Sequence, residues 1–361
     1  MLFFDPDLKK ERSVMKRNLA IFLLILVLGL VTACGSGSSG GGSQGGNQEK
    51  IPVIITHETA VTQMKHQFFV KFAEMIEEKS GGRFAPEVYP SSQLYSDADA
   101  VEAMGTGSVH IVAPASGRLE ALNEAYGVFT IPFALQDEVM LANPEYRREI
   151  NDLITSLLSD YGIKNLGLMR ATGGLFIFNG RDVQTPEDLK GAKVRVPGGQ
   201  LLLKVMENLG VTAISMPATE VPTAIVQGTI DGSWTSADGW VSQVGDAAKY
   251  AAIVPNLQLG TYTLIVDQKW FDGLPADLQN IIVETADELT AEQWQESIDN
   301  DEAKLREAEK YAESIVTFND QQLAQIREMV RPAVEEMKNR FPDVFQQFAD
   351  IQAKYNVEWL D

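Results

Sequence analysis

Residues 189–232 read LKGAKVRVPGGQLLLKVMENLGVTAISMPATEVPTAIVQGTIDG. Three short β-branched runs punctuate this stretch and its end: Ala192–Val196, Thr212–Ser215 and Gly232–Thr235. The segments between them, near 199–208 and 219–227, carry helical apolar spacing. A strand–helix–strand–helix–strand rhythm implies an α/β sheet with crossover helices. In the first run Lys193 and Arg195 alternate with Val194 and Val196, so a strand sets the two cations on one face and the valines on the other. Two placements of Arg195 follow from this pattern. It lies either on a solvent-facing sheet surface or at a cleft, where its guanidinium fork can hold a carboxylate by two parallel hydrogen bonds.

The same rhythm extends outward. Pro52–Thr56, Phe84–Tyr89, Ser108–Ala113, Leu166–Met169 and Leu175–Asn179 read as strands. Helices are predicted over 63–79, Asp97–Met104, 145–160 and 237–247. Met64, Phe68, Phe72, Met75 and Ile76 form the apolar face of the first, and Gly81-Gly82 ends it. Residues 275–314 form one long helical pattern without interior proline or glycine, opened by Pro275-Ala276-Asp277. At 1.5 Å per residue it spans more than about 50 Å, longer than one small lobe, so it is expected to cross two.

The 361 residues carry 50 acidic and 30 basic side chains, for a net charge of -20. A surface of that sign repels a phosphate backbone, which excludes nucleic acid as a natural partner. One cysteine and three histidines leave no disulfide framework, no multi-cysteine metal site and no histidine-rich centre, so neither metal nor cofactor is expected. No glycine-rich phosphate loop, zinc-protease motif or serine nucleophile elbow occurs. His57-Glu58 follows the first strand, where α/β folds place ligands. The pair reads as an acid–base couple or as an ordinary loop pair facing a cleft. His66 and His110 read as structural. Arg170, at the end of Leu166–Met169, stands out in a region poor in cations.

The amino-terminal region is an address. Lys16 and Arg17 precede a 13-residue apolar run, Leu19–Val31, too short to span about 30 Å of hydrocarbon. Val31-Thr32-Ala33-Cys34 follows, and Cys34 is the only cysteine. This pattern resembles a bacterial lipoprotein signal, with cleavage before a lipidated Cys34. Residues 1–33 are thus expected to be removed. Met15 is the expected start, because Asp5, Asp7 and Glu11 do not suit a signal's basic opening. Losing five basic and three acidic residues leaves the mature chain near -22. Residues 34–48 then form a lipidated cysteine and a Gly/Ser tether about 20 Å in typical reach. Localisation on the outer face of a membrane follows.

Several segments resemble the extracytoplasmic substrate-binding proteins of TRAP (tripartite ATP-independent) transporters. They are Val88–Leu94, Phe129–Phe133, Leu189–Pro197, Met216-Pro217 with Glu220-Val221, Gln227–Gly232, and Trp270-Phe271 with Leu274-Pro275. The resemblance runs from about 50 to 345 and implies a two-lobed periplasmic-binding-protein-like α/β fold with a hinge. It places 49–169 plus about 260–299 in one lobe, and 170–259 plus about 300–345 in the other. It also implies a receptor, not an enzyme, that closes on a small organic acid and passes it to integral-membrane TRAP subunits. Arg195 matches the family arginine that pairs with the ligand carboxylate, and Arg170 a second arginine near it. After Asp231-Gly232 the sequence departs: Thr235 takes the position of a ligand-contacting asparagine, and Pro222 stands where tyrosine is common. Trp234 and Trp240 are candidates for an apolar cleft wall, or else core. The expected ligand-binding set is Arg195, Arg170, Thr235, Trp234 and Glu58. Alternatives are the receptor of an ATP-driven importer, a solute sensor, or a secreted hydrolase or isomerase using His57 and Glu58.

Overall fold

The computed structural model describes residues 50–360. The signal segment 1–33, the start at Met15, Cys34 and the tether 34–48 lie outside the described residues.

Eleven strands form two sheets. They are β1 (Ile51–Thr56), β2 (Phe84–Tyr89), β3 (Ile111–Val112), β4 (Ile163–Thr172), β5 (Leu175–Phe178), β6 (Lys193–Val196), β7 (Thr212–Ser215), β8 (Gly232–Thr235), β9 (Tyr250–Ile253), β10 (Gly260–Asp267) and β11 (Ser314–Thr317). The first sheet has the order β2-β1-β3-β10-β4 and the second β11-β9-β5-β8-β6-β7. β1 runs parallel to β2 and β3, whereas β10 is antiparallel to β3 and β4. In the second sheet β6 runs parallel to β7 and β8, and β5 is antiparallel to β8 and β9. The longer helices are α1 (Met64–Lys79), α2 (Asp97–Ala103), α3 (Asp137–Ala142), α4 (Pro144–Leu158), α5 (Gln200–Asn208), α6 (Val221–Val226), α7 (Ala276–Ala308), α8 (Asp320–Arg340) and α9 (Pro342–Lys354).

Each sheet has one apolar layer of its own and contributes to a larger cluster that both share, in which Leu168 and Ile265 of the first meet Phe176, Val194 and Trp234 of the second. Phe68, Phe72 and Ile76 of α1 and Leu278, Ile282 and Leu289 of α7 pack on Val53, Ile55 and Leu264 of the first sheet. Ala308, at the far end of α7, joins Ile177, Ile225, Trp240 and Ala251 at the second sheet. The 33 residues of α7 therefore serve both lobes. The chain also crosses directly from β4 to β5 through Gly173-Gly174 and returns from β9 to β10. At Gly174, φ is +72° and a Cβ would stand 2.3 Å from Cζ2 of Trp234. Only glycine fits both the left-handed backbone and the ring pressed against it.

The structure adds β9, β10, β11, α8 and α9, which the periodicity did not single out, and it redraws three of the expected elements. The long helix ends at Ala308 rather than near 314, because Ser314–Thr317 pairs in parallel with Tyr250–Ile253. No glycine or proline marks that end, so tertiary pairing decides it. The expected helix over 237–247 is one short turn from Ala237 followed by a widened coil at Trp240–Val244, closed by Gly245 at φ +58°. The strand expected over Ser108–Ala113 pairs only at Ile111–Val112. No helix among the described residues is long and apolar enough to cross a membrane.

Candidate ligand-binding cleft

The carboxyl ends of β1, β3, β6 and β8 converge between the sheets, the usual position for ligands in α/β folds. They enclose a cavity of about 230 Å³. Glu58, Asp97, Arg118 and Tyr262 line it from the first sheet, and Arg195, Met216, Trp234 and Thr235 from the second. The lobes also touch beside it: Gln63 Nε2 donates to Ser242 Oγ at 3.0 Å, and the Met64 amide to Asp238 Oδ2 at 3.3 Å. Gln63 Oε1 is buried without a partner.

Arg195 sits in the middle of β6, between Ile214 of β7 and Ser233 of β8. Val194 and Val196 anchor the strand in the core, Lys193 stays exposed, and Arg195 is only 6% exposed. It is therefore not on a solvent-facing surface. Its Nε donates to the Met216 carbonyl at 3.0 Å. Among the described residues no carboxylate lies within ion-pair distance of it. Burial first, and the neighbouring Arg118 second, lower its pKa to about 10, against the pull of Glu58, Tyr262 and Asp97. A buried cation with no counter-ion is costly, and an anion entering the cavity relieves that cost.

Glu58 belongs to a buried triad. Lys65 Nζ stands 2.6 Å from Glu58 Oε2 and 3.6 Å from Asp97 Oδ1, and lies 3.9 Å above the Tyr262 ring. Asp97 Oδ2 also accepts the Ala115 amide at 3.0 Å. Two carboxylates thus share one ammonium. Burial and then Asp97 raise the Glu58 pKa to about 8, only partly offset by Lys65. Asp97 stays below its ordinary value although burial works the other way, because Lys65, Glu58 and the Ala115 amide hold its anion. The two carboxylates are thus driven apart, the proton favouring Glu58 and the anion Asp97.

His57 faces away from the cavity. Its ring stacks on Phe69, with centroids 5.5 Å apart, and bonds Thr59 Oγ1 at 3.0 Å and His66 Nδ1 at 3.1 Å. Burial, then Lys65, pushes its pKa down to about 3. Glu58 lines the cavity and His57 does not, so the structure does not present the two to one ligand as an acid–base couple. His110 accepts the Ile54 amide at 2.9 Å and stacks on Trp270, a structural role. Among the described residues no cluster of histidine, cysteine and acidic side chains could hold a metal ion.

Arg170 corrects the sequence expectation. It does not line the main cavity, although it borders a side recess of about 20 Å³. Its guanidinium is already committed. Nε and Nη2 donate to Asp137 at 2.8 and 2.9 Å, and Nη1 to Asp301 at 2.7 Å and to Ser297 Oγ at 3.0 Å. Arg170 is a strut joining β4, α3 and α7. Trp234 lines the cavity, its ring edge against Phe176 at 4.7 Å. Thr235 lines it too, and packs so tightly that a Cβ on Gly239 would meet its Oγ1 at 2.7 Å. Trp240 is core: it is fully buried and donates Nε1 to the Ala248 carbonyl at 2.9 Å.

Sequence reasoning missed Arg118, Asp97, Lys65 and Tyr262. Lys65 and Asp97 lie on predicted helices and look like solvated helix charges, and nothing in their spacing reveals their pairing. Arg118 had one usable signal: a cation in the Ser-Gly-Arg turn just past a strand end of an acidic chain.

The chain matches a family model over residues 55–340, described as bacterial extracellular solute-binding protein, family 7. It is similar to the C4-dicarboxylate-binding periplasmic protein DctP of Rhodobacter capsulatus, 30% identical over 234 residues, which covers 64% of this chain and 69% of that protein. It is also similar to the C4-dicarboxylate-binding protein DctB of Bacillus subtilis, 26% identical over 357 residues, 93% of this chain and 95% of that protein. Its fold matches the crystal structure of the sugar acid binding protein DctPAm of Advenella mimigardefordensis in complex with galactonate. There the TM-score is 0.78 at 23% identity, covering 85% of this chain and 99% of that one.

Proposed function

The chain belongs to the bacterial extracellular solute-binding protein family 7, and we propose that it is a receptor for a small organic acid, which it holds by a carboxylate on Arg195 and delivers to a TRAP-type membrane symporter. The observation that carries this reading is Arg195 itself: buried, facing the cavity, and without an acidic partner among the described residues. A carboxylate in the cavity accepts from Nη1 and Nη2 while Nε stays on Met216, which orients the acid as well as binding it. Trp234 supplies an apolar wall, and Thr235 and Glu58 supply hydroxyl and carboxyl contacts. We read the ligand as leaving unchanged: among the described residues no histidine or cysteine lines the cavity to serve as base or thiol nucleophile. One lobe comprises 49–172 plus about 260–299, the other about 173–259 plus about 300–345, with the ligand between them; β4 carries the first lobe three residues past the 169/170 boundary expected from sequence. A signal over 1–33, removed on export, directs the receptor outward, and a lipid on Cys34 holds it on the outer face of a membrane.

Mass spectrometry of small molecules released from purified, denatured protein, followed by calorimetry with the acid found, tests the receptor reading. Removing one partner of a buried charge pair costs about 2–5 kcal/mol, so Arg195→Ala should weaken binding by roughly 30- to 4000-fold. Arg195→Lys should restore it only in part, because an ammonium lacks the planar fork. A folded Arg195→Ala protein that binds within threefold of wild type would refute the assignment.

A further inference from the structure

Glu120 is an acid in an apolar setting. It lies in the turn after β3, next to Leu119 of the cluster that the sheets share, and is 3% exposed. A Cβ on Gly127 would meet its Cδ at 3.3 Å and Met337 Cε at 3.5 Å. Among the described residues no lysine or arginine stands within ion-pair distance of it: Arg340 pairs with Glu124, and Lys204 with Glu207. Its Oε2 instead accepts two amides of the other lobe, Gln200 at 2.7 Å and Leu201 at 3.1 Å. These open α5, where the first amides have no partner within the helix. Its Oε1 accepts the Thr130 hydroxyl at 3.5 Å. Burial outweighs these bonds and raises its pKa to about 7. A buried carboxylate without a counter-ion costs stability, and such broken local rules gather at functional positions.

The amides that Glu120 holds are close to the ligand cavity along the chain. Only Pro197, Gly198 and Gly199 separate α5 from β6, the strand of Arg195. Pro197 and Gly198 line the cavity, as do Gly117, Arg118 and Thr130 of the first lobe, whereas Glu120 does not. The loop lies flat on the first lobe. At Gly199, with φ +104°, a Cβ would stand 2.9 Å from Glu120 Oε1 and 3.2 Å from Gly117 Cα. At Gly198 a Cβ would stand 2.8 Å from Arg118 Nε, so the missing side chain gives Arg118 its seat at the cavity wall. Glycines bring no side chain to interlock, and among the described residues no backbone hydrogen bond joins Gly117 to Gly198 or Gly199. The Glu120 carboxylate is the polar fastening at this contact.

From this geometry we infer that Glu120 is a positioning residue for ligand binding: it acts across the lobes, through the two amides, to hold Pro197–Gly199 in place as the cavity wall between Arg195 and Arg118. The inference rests on the receptor reading above and adds to it a residue that the ligand does not touch. What counts is an oxygen at the right reach, not the charge. Glutamine places its amide oxygen where Oε2 stands and turns its NH2 to the Thr130 hydroxyl. Aspartate keeps the charge and is one methylene short. A second cavity of about 230 Å³ lies behind the carboxylate, lined by Glu120, Gln200 and Leu201. Water there can satisfy the amides when the carboxylate is lost, so the chain keeps its fold, but a water is tied to neither lobe.

Three variants of the full chain test the inference, with succinate, galactonate and any acid carried through purification as probes. Hydrogen bonds to a charged group imply that Glu120→Ala weakens binding by about 10- to 100-fold, read by calorimetry at pH 7 on protein that still melts cooperatively. Glu120→Gln should bind within about threefold of wild type, and Glu120→Asp should fall with the alanine variant. Hydrogen exchange at the Gln200 and Leu201 amides reads the fastening itself: slow in the wild type and in Glu120→Gln, faster in the other two. A role in stability alone lowers Tm without this order of affinities. Should Glu120→Ala not fold, the glutamine and aspartate variants still decide, and equal affinities of these two overturn the inference. So does a folded Glu120→Ala protein that binds within threefold of wild type, or rescue by aspartate and not by glutamine. Each of these leaves the receptor reading standing, whereas a wild type that binds no acid overturns both.

Discussion

Arg170→Ala should cost stability and leave ligand affinity nearly untouched. The side chain is 4% exposed and donates four hydrogen bonds, a bidentate pair to Asp137 and one each to Asp301 and Ser297. Burial alone would lower its pKa, yet Asp137 and Asp301 raise it, so the cation is firmly held. Removing it strands two carboxylates. Asp137 keeps only the Trp294 indole at 2.9 Å, and Asp301 keeps the Gly173 amide at 3.0 Å and the Thr172 hydroxyl. Breaking a buried pair from one side costs about 3–5 kcal/mol. In a body of this size about 2 °C of Tm goes with each kcal/mol, so the melting temperature should fall by about 6–10 °C. Burial already raises the Asp301 pKa, so the stranded acid protonates readily and the deficit should shrink from pH 7 to pH 5. Neutralising the whole cluster, Arg170→Met with Asp137→Asn and Asp301→Asn, should recover much of the loss. Calorimetric melting and ligand titration on the same samples read the result. A folded Arg170→Ala protein with unchanged Tm and lost binding would refute the strut assignment and return Arg170 to the ligand site.

Three further outcomes follow from the site and the address. Glu58 has its pKa raised from 4.5 to about 8, so its contribution to stability is full below about 4.5 and is lost as pH climbs through that window. As it ionises near 8, beside Asp97, Lys65 and the two arginines, it adds a negative charge to the cavity. Acid affinity should therefore fall between pH 7 and 9, and Glu58→Gln should flatten the curve; a wild-type curve flat over that range sinks the protonated triad. Gly174→Ala drives a Cβ into the Trp234 ring on a backbone at φ +72°, so both Tm and ligand affinity should drop, while Gly180→Ala, where a Cβ meets nothing within 4 Å, should change neither. For the full-length protein, Cys34→Ser should release it from the membrane fraction or leave it with an uncleaved signal. Stable membrane association of a processed Cys34→Ser protein would exclude the lipid anchor.

The strand–helix alternation was legible because it depends on local chemistry. Lys193-Val194-Arg195-Val196 shows a period of two, Phe68, Phe72 and Ile76 show a period near four, and Gly81 and Gly191 mark ends. Arg195 was legible for the same reason, as a cation alternating with valines on a strand. The end of α7 was not, since only the partner strand Tyr250–Ile253 fixes it. Nor were α8 and α9, which had not been recognised as separate helices, although Ile326, Val330, Ala333 and Met337 space one apolar face.

The two arginines of the expected site separate what each level decides. The sequence determined that Arg170 and Arg195 both belong to strands or their ends, because strand periodicity is a property of neighbours along the chain. It could not say which one keeps its charge free. That depends on acids 33 and 131 positions away, Asp137 and Asp301, which tertiary packing brings to Arg170 and not to Arg195. Arg118 gained its place at the cavity from Gly198, 80 positions on, by the same logic. Charge pairing acts over a few ångströms of space, and only the fold decides which charges come that close.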